Sequence, residues 1–146
     1  MRIYLDTCCL NRPYDDQGNL RISLETQAVL YIQECIKANV LALTDSYILQ
    51  YENNKNPHPI KRDAIKEYLA TFASTFVDVA NVVVVKANAE KIMGAGLRPL
   101  DAYHVACAIF ANCNYFITTD DKILKYKNPQ ITIFSPISFI GILEEL

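Results

Sequence analysis

The sequence alternates short apolar runs with longer stretches whose apolar residues recur at helical spacing, and this alternation constrains the fold most. The apolar runs that predict strands cover residues 2–5, 40–43, part of 76–85, 115–118 and 131–134. Helices are predicted at 23–38, 60–72, 87–95, 98–112 and 136–146, with a short one after the capping residues 44–46. A repeated strand-then-helix order favours an α/β fold with a mostly parallel central sheet and right-handed crossovers.

Length and composition fit one compact unit. The chain has 146 residues, of which 51% are apolar, so we expect a single domain over residues 1–146. A carboxylate at Asp6 interrupts the stretch that a signal peptide would need, and no apolar run approaches a membrane span. The five cysteines are an odd number and lie scattered, which predicts reduced thiols and a cytoplasmic protein. The net charge of −2 argues against a broad basic surface.

Two acidic residues directly follow predicted strands. Asp6 comes after the first strand and Asp120 after the fourth. In open α/β sheets ligands bind beyond the carboxyl ends of the strands, where the strand order reverses, so neighbouring first and fourth strands would bring both carboxylates into one crevice. Carboxylates that close either share a proton or bind a cation. Oxygen ligands of this kind suit magnesium or manganese, and we expect metal.

Four short motifs extend this pattern along most of the chain. They are Leu5-Asp6-Thr7, Glu52 after the segment YILQY, the segment DAYHVA that begins at Asp101, and Thr118-Thr119-Asp120. In this order the motifs resemble those of the PIN-domain family, and VapC-like toxin ribonucleases are the members nearest in size. The resemblance implies a three-layer α/β/α sandwich (PIN-like), a Mg²⁺- or Mn²⁺-dependent endoribonuclease and an acidic site formed by Asp6, Glu52, Asp101 and Asp120. It also implies RNA as substrate, an antitoxin protein as partner and a homodimer.

Phosphodiester hydrolysis needs an activated water and relief of charge on the phosphate oxygens, and bound metal supplies both. On the resemblance, Asp6 is the central metal ligand, and Asp101 and Asp120 are further direct or water-mediated ligands. Glu52 is either a ligand or a group that orients the water. Asp101 also admits a structural interpretation, because an acidic residue is favourable in the first turn of a helix.

Several other residues are weaker candidates. Thr7 and Thr119 flank two of the acids, and Arg12 lies in a long polar loop at residues 11–16, so these three are candidate substrate contacts. Asp121 is a second choice for the position of Asp120. His104 is one helical turn beyond Asp101, and we expect a packed structural histidine there.

Basic residues collect around residues 53–59, where two prolines and three asparagines predict a break between helices. They are Lys55, His58, Lys61, Arg62 and Lys66. This group fits either a positively charged approach to the acidic site or a solvated helix face. A zinc site built on His104, Cys107 and Cys113 lacks the usual ligand spacing.

Three functions from different classes remain open. The first is a metal-dependent endoribonuclease that acts as the toxin of a toxin–antitoxin pair. The second is a PIN-fold RNA-binding or RNA-processing factor without a toxin role. The third is a non-catalytic metal-binding interaction module, which would need a phosphoacceptor aspartate after a middle strand and a lysine near the last one; neither is evident.

Overall fold

A five-stranded, all-parallel sheet forms the centre of the protein in the computed structural model, which describes residues 1–145. The strands are β1 (Arg2–Leu5), β2 (Ala42–Ser46), β3 (Ala73–Val77), β4 (Tyr115–Ile117) and β5 (Thr132–Phe134). Their order in the sheet is β3-β2-β1-β4-β5, so the order reverses between β1 and β4. The predicted mostly parallel sheet is confirmed, and β1 and β4 are neighbours, which is the condition for Asp6 and Asp120 to share one crevice.

Helices connect and cover the strands. They are α1 (Thr7–Asn11), α2 (Leu20–Lys37), α3 (Tyr47–Asn54), α4 (Pro59–Phe72), α5 (Val82–Gly94), α6 (Pro99–Phe110), α7 (Asp121–Lys125) and α8 (Pro136–Glu144). Right-handed crossovers place the helices that follow β1 and β2 on one face of the sheet and α5 and α6 on the other. The result is the three-layer α/β/α sandwich that the PIN resemblance implied. None of the helices within residues 1–145 is long and apolar enough to span a membrane.

The core lies on both faces of the central strands. Ile3, Tyr4 and Leu5 of β1 are fully buried, as expected for a parallel strand covered on both sides. Tyr4 stacks on Phe116 of β4 with ring centroids 5.3 Å apart. This packing fixes β1 against β4, and with it the relative position of the residues that follow each strand.

Two predicted strands have different limits in the structure. The predicted strand 40–43 is β2, Ala42–Ser46, so Thr44 and Asp45 belong to the strand. Ser46 does cap the next helix, as predicted, because its Oγ accepts a hydrogen bond from the backbone N–H of Leu49 (3.1 Å). The strand predicted within 76–85 is β3, Ala73–Val77, which starts earlier and ends earlier.

The valine run at 82–85 is helical, as the first turn of α5. Asp78 ends the strand because its side chain accepts a hydrogen bond from the N–H of Ala80 and starts a short 3-10 turn over Val79–Asn81. Only Val85 of the run is buried, whereas Val83 and Val84 are exposed. Helical geometry therefore directs one valine to the core, and packing outweighs the modest β propensity of the run. The last residue of the predicted helix 136–146 lies outside the described residues.

Candidate active site

Asp6 lies at the carboxyl end of β1, where the chain enters α1. Its side chain caps α1 by accepting a hydrogen bond from the N–H of Thr7 (2.8 Å), and its other oxygen accepts one from the hydroxyl of Thr118 (2.8 Å). The residue is only 5% exposed. Both carboxylate oxygens are therefore fixed in direction before any ligand binds, which is the preorganisation that a metal ligand or charge-stabilising group requires.

The end of β4 lies directly beside Asp6. Thr118 links the two strand ends, because its hydroxyl donates to Asp6 and accepts a hydrogen bond from the N–H of Asp120 (3.0 Å). One oxygen of Asp120 caps α7 by accepting from the N–H of Lys122 (2.8 Å) and of Ile123 (3.2 Å). The pairing of β1 with β4 thus delivers two acids to one edge of the sheet.

Asp101 joins this group from the first turn of α6. Arg98 holds it next to Asp120: its Nε donates to Asp101 (3.1 Å) and a terminal nitrogen donates to Asp120 (3.3 Å). Burial raises the pKa of Asp101, the hydrogen bond from Arg98 lowers it in part, and the charges of Asp6 and Asp120 raise it further. The net pKa is above its ordinary value, mainly because the carboxylate is partly buried and in smaller part because two other acids lie nearby.

Glu52 reaches the same edge from α3 and is held by His104. The two residues are joined by a hydrogen bond of 3.0 Å between His104 Nε2 and Glu52 Oε1. Burial raises the pKa of Glu52, but hydrogen bonds from His104 and Thr7 and the nearby charge of Arg98 outweigh it, so the pKa is lowered. Glu52 is therefore a carboxylate at neutral pH.

His104 is fully buried and links the acidic site to the core. Its Nδ1 lies 2.7 Å from the hydroxyl of Tyr4, which lies 2.7 Å from Oγ of Ser46. Burial raises the pKa of Tyr4 well above its ordinary value, so the phenol keeps its proton. Because the carboxylate of Glu52 only accepts hydrogen bonds, Nε2–H of His104 donates to it, and the Tyr4 hydroxyl is hydrogen-bonded to both Nδ1 of His104 and Oγ of Ser46. The expected structural histidine is thus also the partner of a site acid.

The donor set suits a divalent cation. One atom each from Asp6, Glu52 and His104 lie within 4.8 Å of one another; Asp101 and Asp120 are not part of this tightest group. Both ring nitrogens of His104 are already hydrogen-bonded, so the carboxylates of Asp6 and Glu52 are the available ligands of the three. Carboxylate oxygens are ligands that Mg²⁺ and Mn²⁺ favour, and a bound cation would stabilise the charged form of Asp101, whose pKa is raised mainly by burial. The residues present therefore fit such a metal. In the structure, the guanidinium of Arg98 supplies part of the balancing charge.

The structure places the weaker candidates as follows. Thr7 lies within the site, where it contacts Asp6 and Glu52. The backbone of Thr119 donates to Cys8 and accepts from Arg21. Arg12 forms ion pairs with Asp15 (3.0 Å) and Glu25 (3.1 Å), which fix the long loop on α2. Substrate contact by Arg12 and Thr119 stays a prediction.

Asp121 points to a different partner from that of Asp120. Its carboxylate pairs with Arg21 of α2 (2.9 Å), and the hydrogen bond from Arg21 lowers the pKa of Asp121. Asp120, and not Asp121, therefore shares Arg98 with Asp101, while the role of Asp120 in the site stays a prediction.

Sequence reasoning missed two functional neighbours. Arg98 bridges two acids, and its spacing of three residues before Asp101 at a helix start is a signal that could have identified it. Thr118 was considered only as part of a motif, yet its hydroxyl connects Asp6 with Asp120. Tyr4 and Ser46 carry no sequence signal, because their link to His104 exists only after the strands and α6 have packed.

Comparisons with known proteins agree with this geometry. The family model of the PIN domain matches residues 3–129. One solved structure with a similar fold is VapBC2 from Rickettsia felis bound to a DNA fragment from their promoter, with TM-score 0.58, 13% identity, and coverage of 92% of this chain and 98% of that chain. Another is FitAcB from Neisseria gonorrhoeae, with TM-score 0.53, 18% identity, and coverage of 92% and 97%. A search of curated protein sequences found no match.

Proposed function

Because the chain belongs to the PIN domain family, we propose that it is a Mg²⁺- or Mn²⁺-dependent endoribonuclease that hydrolyses RNA phosphodiester bonds. The observation that carries the proposal is the convergence of Asp6, Glu52, Asp101 and Asp120 at the edge of the sheet where the strand order reverses. Four separate elements each contribute one acid. Asp6 and Asp120 also cap α1 and α7, but helix capping does not account for four acids at one edge of the sheet, whereas metal-assisted phosphodiester hydrolysis does.

Each side chain has a defined task in this proposal. Asp6, Asp101 and Asp120 would hold the metal, which when bound lowers the pKa of a water and stabilises charge on the phosphate oxygens. Glu52, fixed by His104, orients the attacking water or completes the ligand set. Arg98 carries a planar cation beside two of the acids and can pair with phosphate oxygens.

The first prediction concerns metal. We expect the purified protein to cleave single-stranded RNA with Mg²⁺ or Mn²⁺ and to lose cleavage in EDTA, since metal binding requires the deprotonated acids and supplies the activated water. Cleavage is measured on labelled RNA, and direct metal binding by calorimetry provides a readout besides activity. Undiminished cleavage in EDTA would contradict the proposal; RNA binding without cleavage under any metal would favour the RNA-binding alternative.

The second prediction concerns Arg98. We expect Arg98→Gln to tighten binding of Mn²⁺ about three- to tenfold, because the guanidinium competes with a cation for Asp101 and Asp120. Calorimetric titration measures the change, which should shrink at high salt. Lys37→Gln at the end of α2 removes the same charge at a distance and serves as control. Weaker metal binding in Arg98→Gln would show that Arg98 does not compete.

We also propose that the protein is the toxin of a toxin–antitoxin pair, with an antitoxin protein as partner and a homodimer as its assembly. The fold likeness to VapBC2 and FitAcB supports this role. Induced expression should arrest growth of a bacterial host, and arrest should require Asp6. Growth without arrest, together with RNA cleavage in vitro, would favour an RNA-processing role.

A further inference from the structure

A pocket of about 320 Å³ opens beside the acidic site, between the end of α3 and the start of α4. It is lined by Thr7, Asn11, Glu52, Asn53, Lys55, Asn56, Pro57 and Lys61. Thr7 and Glu52 belong to both the pocket and the acidic site, so the two are continuous. A volume of this size lies at the lower end of the range of about 300–1,000 Å³ for small-ligand sites.

Two lysines bring positive charge to the pocket. Lys55 and Lys61 both line it. The ammonium of Lys55 lies 4.2 Å from the ring centroid of Tyr51 and is hydrogen-bonded to the Tyr51 hydroxyl, so this ammonium is held in place. Two lysines in a pocket that adjoins a group of carboxylates are suited to an anion that approaches those carboxylates, such as a phosphate.

The start of α4 adds to this positive charge. Pro59 occupies the first turn, and within residues 1–145 no side chain caps this helix. The backbone N–H groups of Ile60 and Lys61 are therefore among those without an intrahelical partner. The N-terminus of a 14-residue helix carries a partial positive charge that favours phosphate.

Side-chain amides with fixed orientations also line the pocket. Asn56 donates to Oδ1 of Asn11 (3.2 Å) and accepts from the N–H of His58 (3.1 Å), while Asn11 donates to the carbonyl of Thr7 (3.0 Å). Asn53 is buried, and its side-chain amide donates to the carbonyl of Arg62 (2.9 Å). Amide groups held in this way are suited to hydrogen bonds with a ligand hydroxyl.

We propose that this pocket is a nucleotide subsite that holds the phosphate and ribose of the RNA nucleotide next to the scissile bond. The proposal rests on the proposed ribonuclease function and names the residues that position its substrate. Lys55, Lys61 and the start of α4 receive the phosphate, and the side-chain amides of Asn11 and Asn56 receive the ribose hydroxyl. An RNA strand is favoured because successive phosphates would occupy the pocket and the adjoining acidic site together.

The test measures RNA binding separately from cleavage. All variants carry Asp6→Asn, and binding of a short fluorescent single-stranded RNA is followed by polarisation at several salt concentrations. Each lost phosphate contact lowers the salt slope by about 0.7, which corresponds to about fivefold weaker binding at about 0.1 M salt. We expect about fivefold from Lys55→Gln or Lys61→Gln alone and about 25-fold from both together.

Lys66→Gln is the matched control, because Lys66 is exposed on α4, the helix that contains Lys61, and does not line the pocket. We expect it to leave affinity and salt slope unchanged. Thermal melting verifies that each variant is folded. Equal effects of Lys61→Gln and Lys66→Gln would overturn the subsite, since the lysines would then act only as general surface charge.

Cleavage kinetics distinguish failure of the subsite from failure of the proposed function. These kinetics use proteins that retain Asp6. In this background, we expect Lys55→Gln together with Lys61→Gln to raise KM with a smaller effect on kcat. Cleavage with an unchanged KM would overturn the subsite and leave the ribonuclease intact. RNA binding that depends on the lysines without any cleavage would overturn the ribonuclease and retain the pocket.

Discussion

Replacing Asp6 with asparagine is expected to reduce RNA cleavage by about 10²–10⁴-fold, the largest loss of any single substitution in the chain. Asp6 is buried at the junction of β1, β4 and α1, and both its oxygens are oriented by hydrogen bonds. Asparagine keeps the shape but removes the charge that would bind metal. Metal stabilisation of the phosphate is worth several kcal/mol, and each 1.36 kcal/mol is a factor of ten in rate.

The measurement is single-turnover cleavage of labelled RNA with Mg²⁺ and with Mn²⁺, alongside calorimetric metal binding. Asp121→Asn is the matched control, because it removes the same charge from a carboxylate that is paired with Arg21. We expect it to retain most activity. Similar losses in both variants, or full activity in Asp6→Asn, would refute the assignment of Asp6 as the central acid.

Replacing His104 with alanine is expected to lower both stability and cleavage. The side chain is fully buried between Tyr4 and Glu52, so its removal leaves a cavity and two polar groups without their partner. We expect about 2–4 kcal/mol less free energy of unfolding. Cleavage should fall about 10–100-fold, as is usual when a partner of a metal-site residue is lost.

A purely structural role for His104 predicts a different pattern. Denaturant unfolding measures the free energy of unfolding. A double-mutant cycle with Glu52→Gln measures whether the effects of the two residues on the cleavage rate are additive. If His104 positions Glu52, the two losses are not additive, and His104→Gln restores part of kcat. Tyr4→Phe removes only the hydroxyl on the far side of His104 and should affect stability more than kcat. Additive losses would leave His104 with a packing role alone.

The sequence by itself determined the alternation of strands and helices, the parallel sheet and the positions of Asp6 and Asp120 at strand ends. These are local or nearly local properties, because apolar spacing reports which face of an element is buried. The pairing of β1 with β4 was a condition for placing Asp6 and Asp120 in one crevice, and the tertiary structure meets that condition. The single domain over 1–146, the cytoplasmic location and the roles of the site residues stay predictions.

Tertiary structure alone decided the limits of β2 and β3 and the partners of the acids. The valine run at 82–85 became helical because one valine could then pack in the core, an outcome that local β propensity does not reveal. Arg98 meets Asp120, and Tyr4 meets His104, across long separations in sequence. Hydrogen bonds between such residues leave no periodic trace in the chain, because they form only when separate elements pack together.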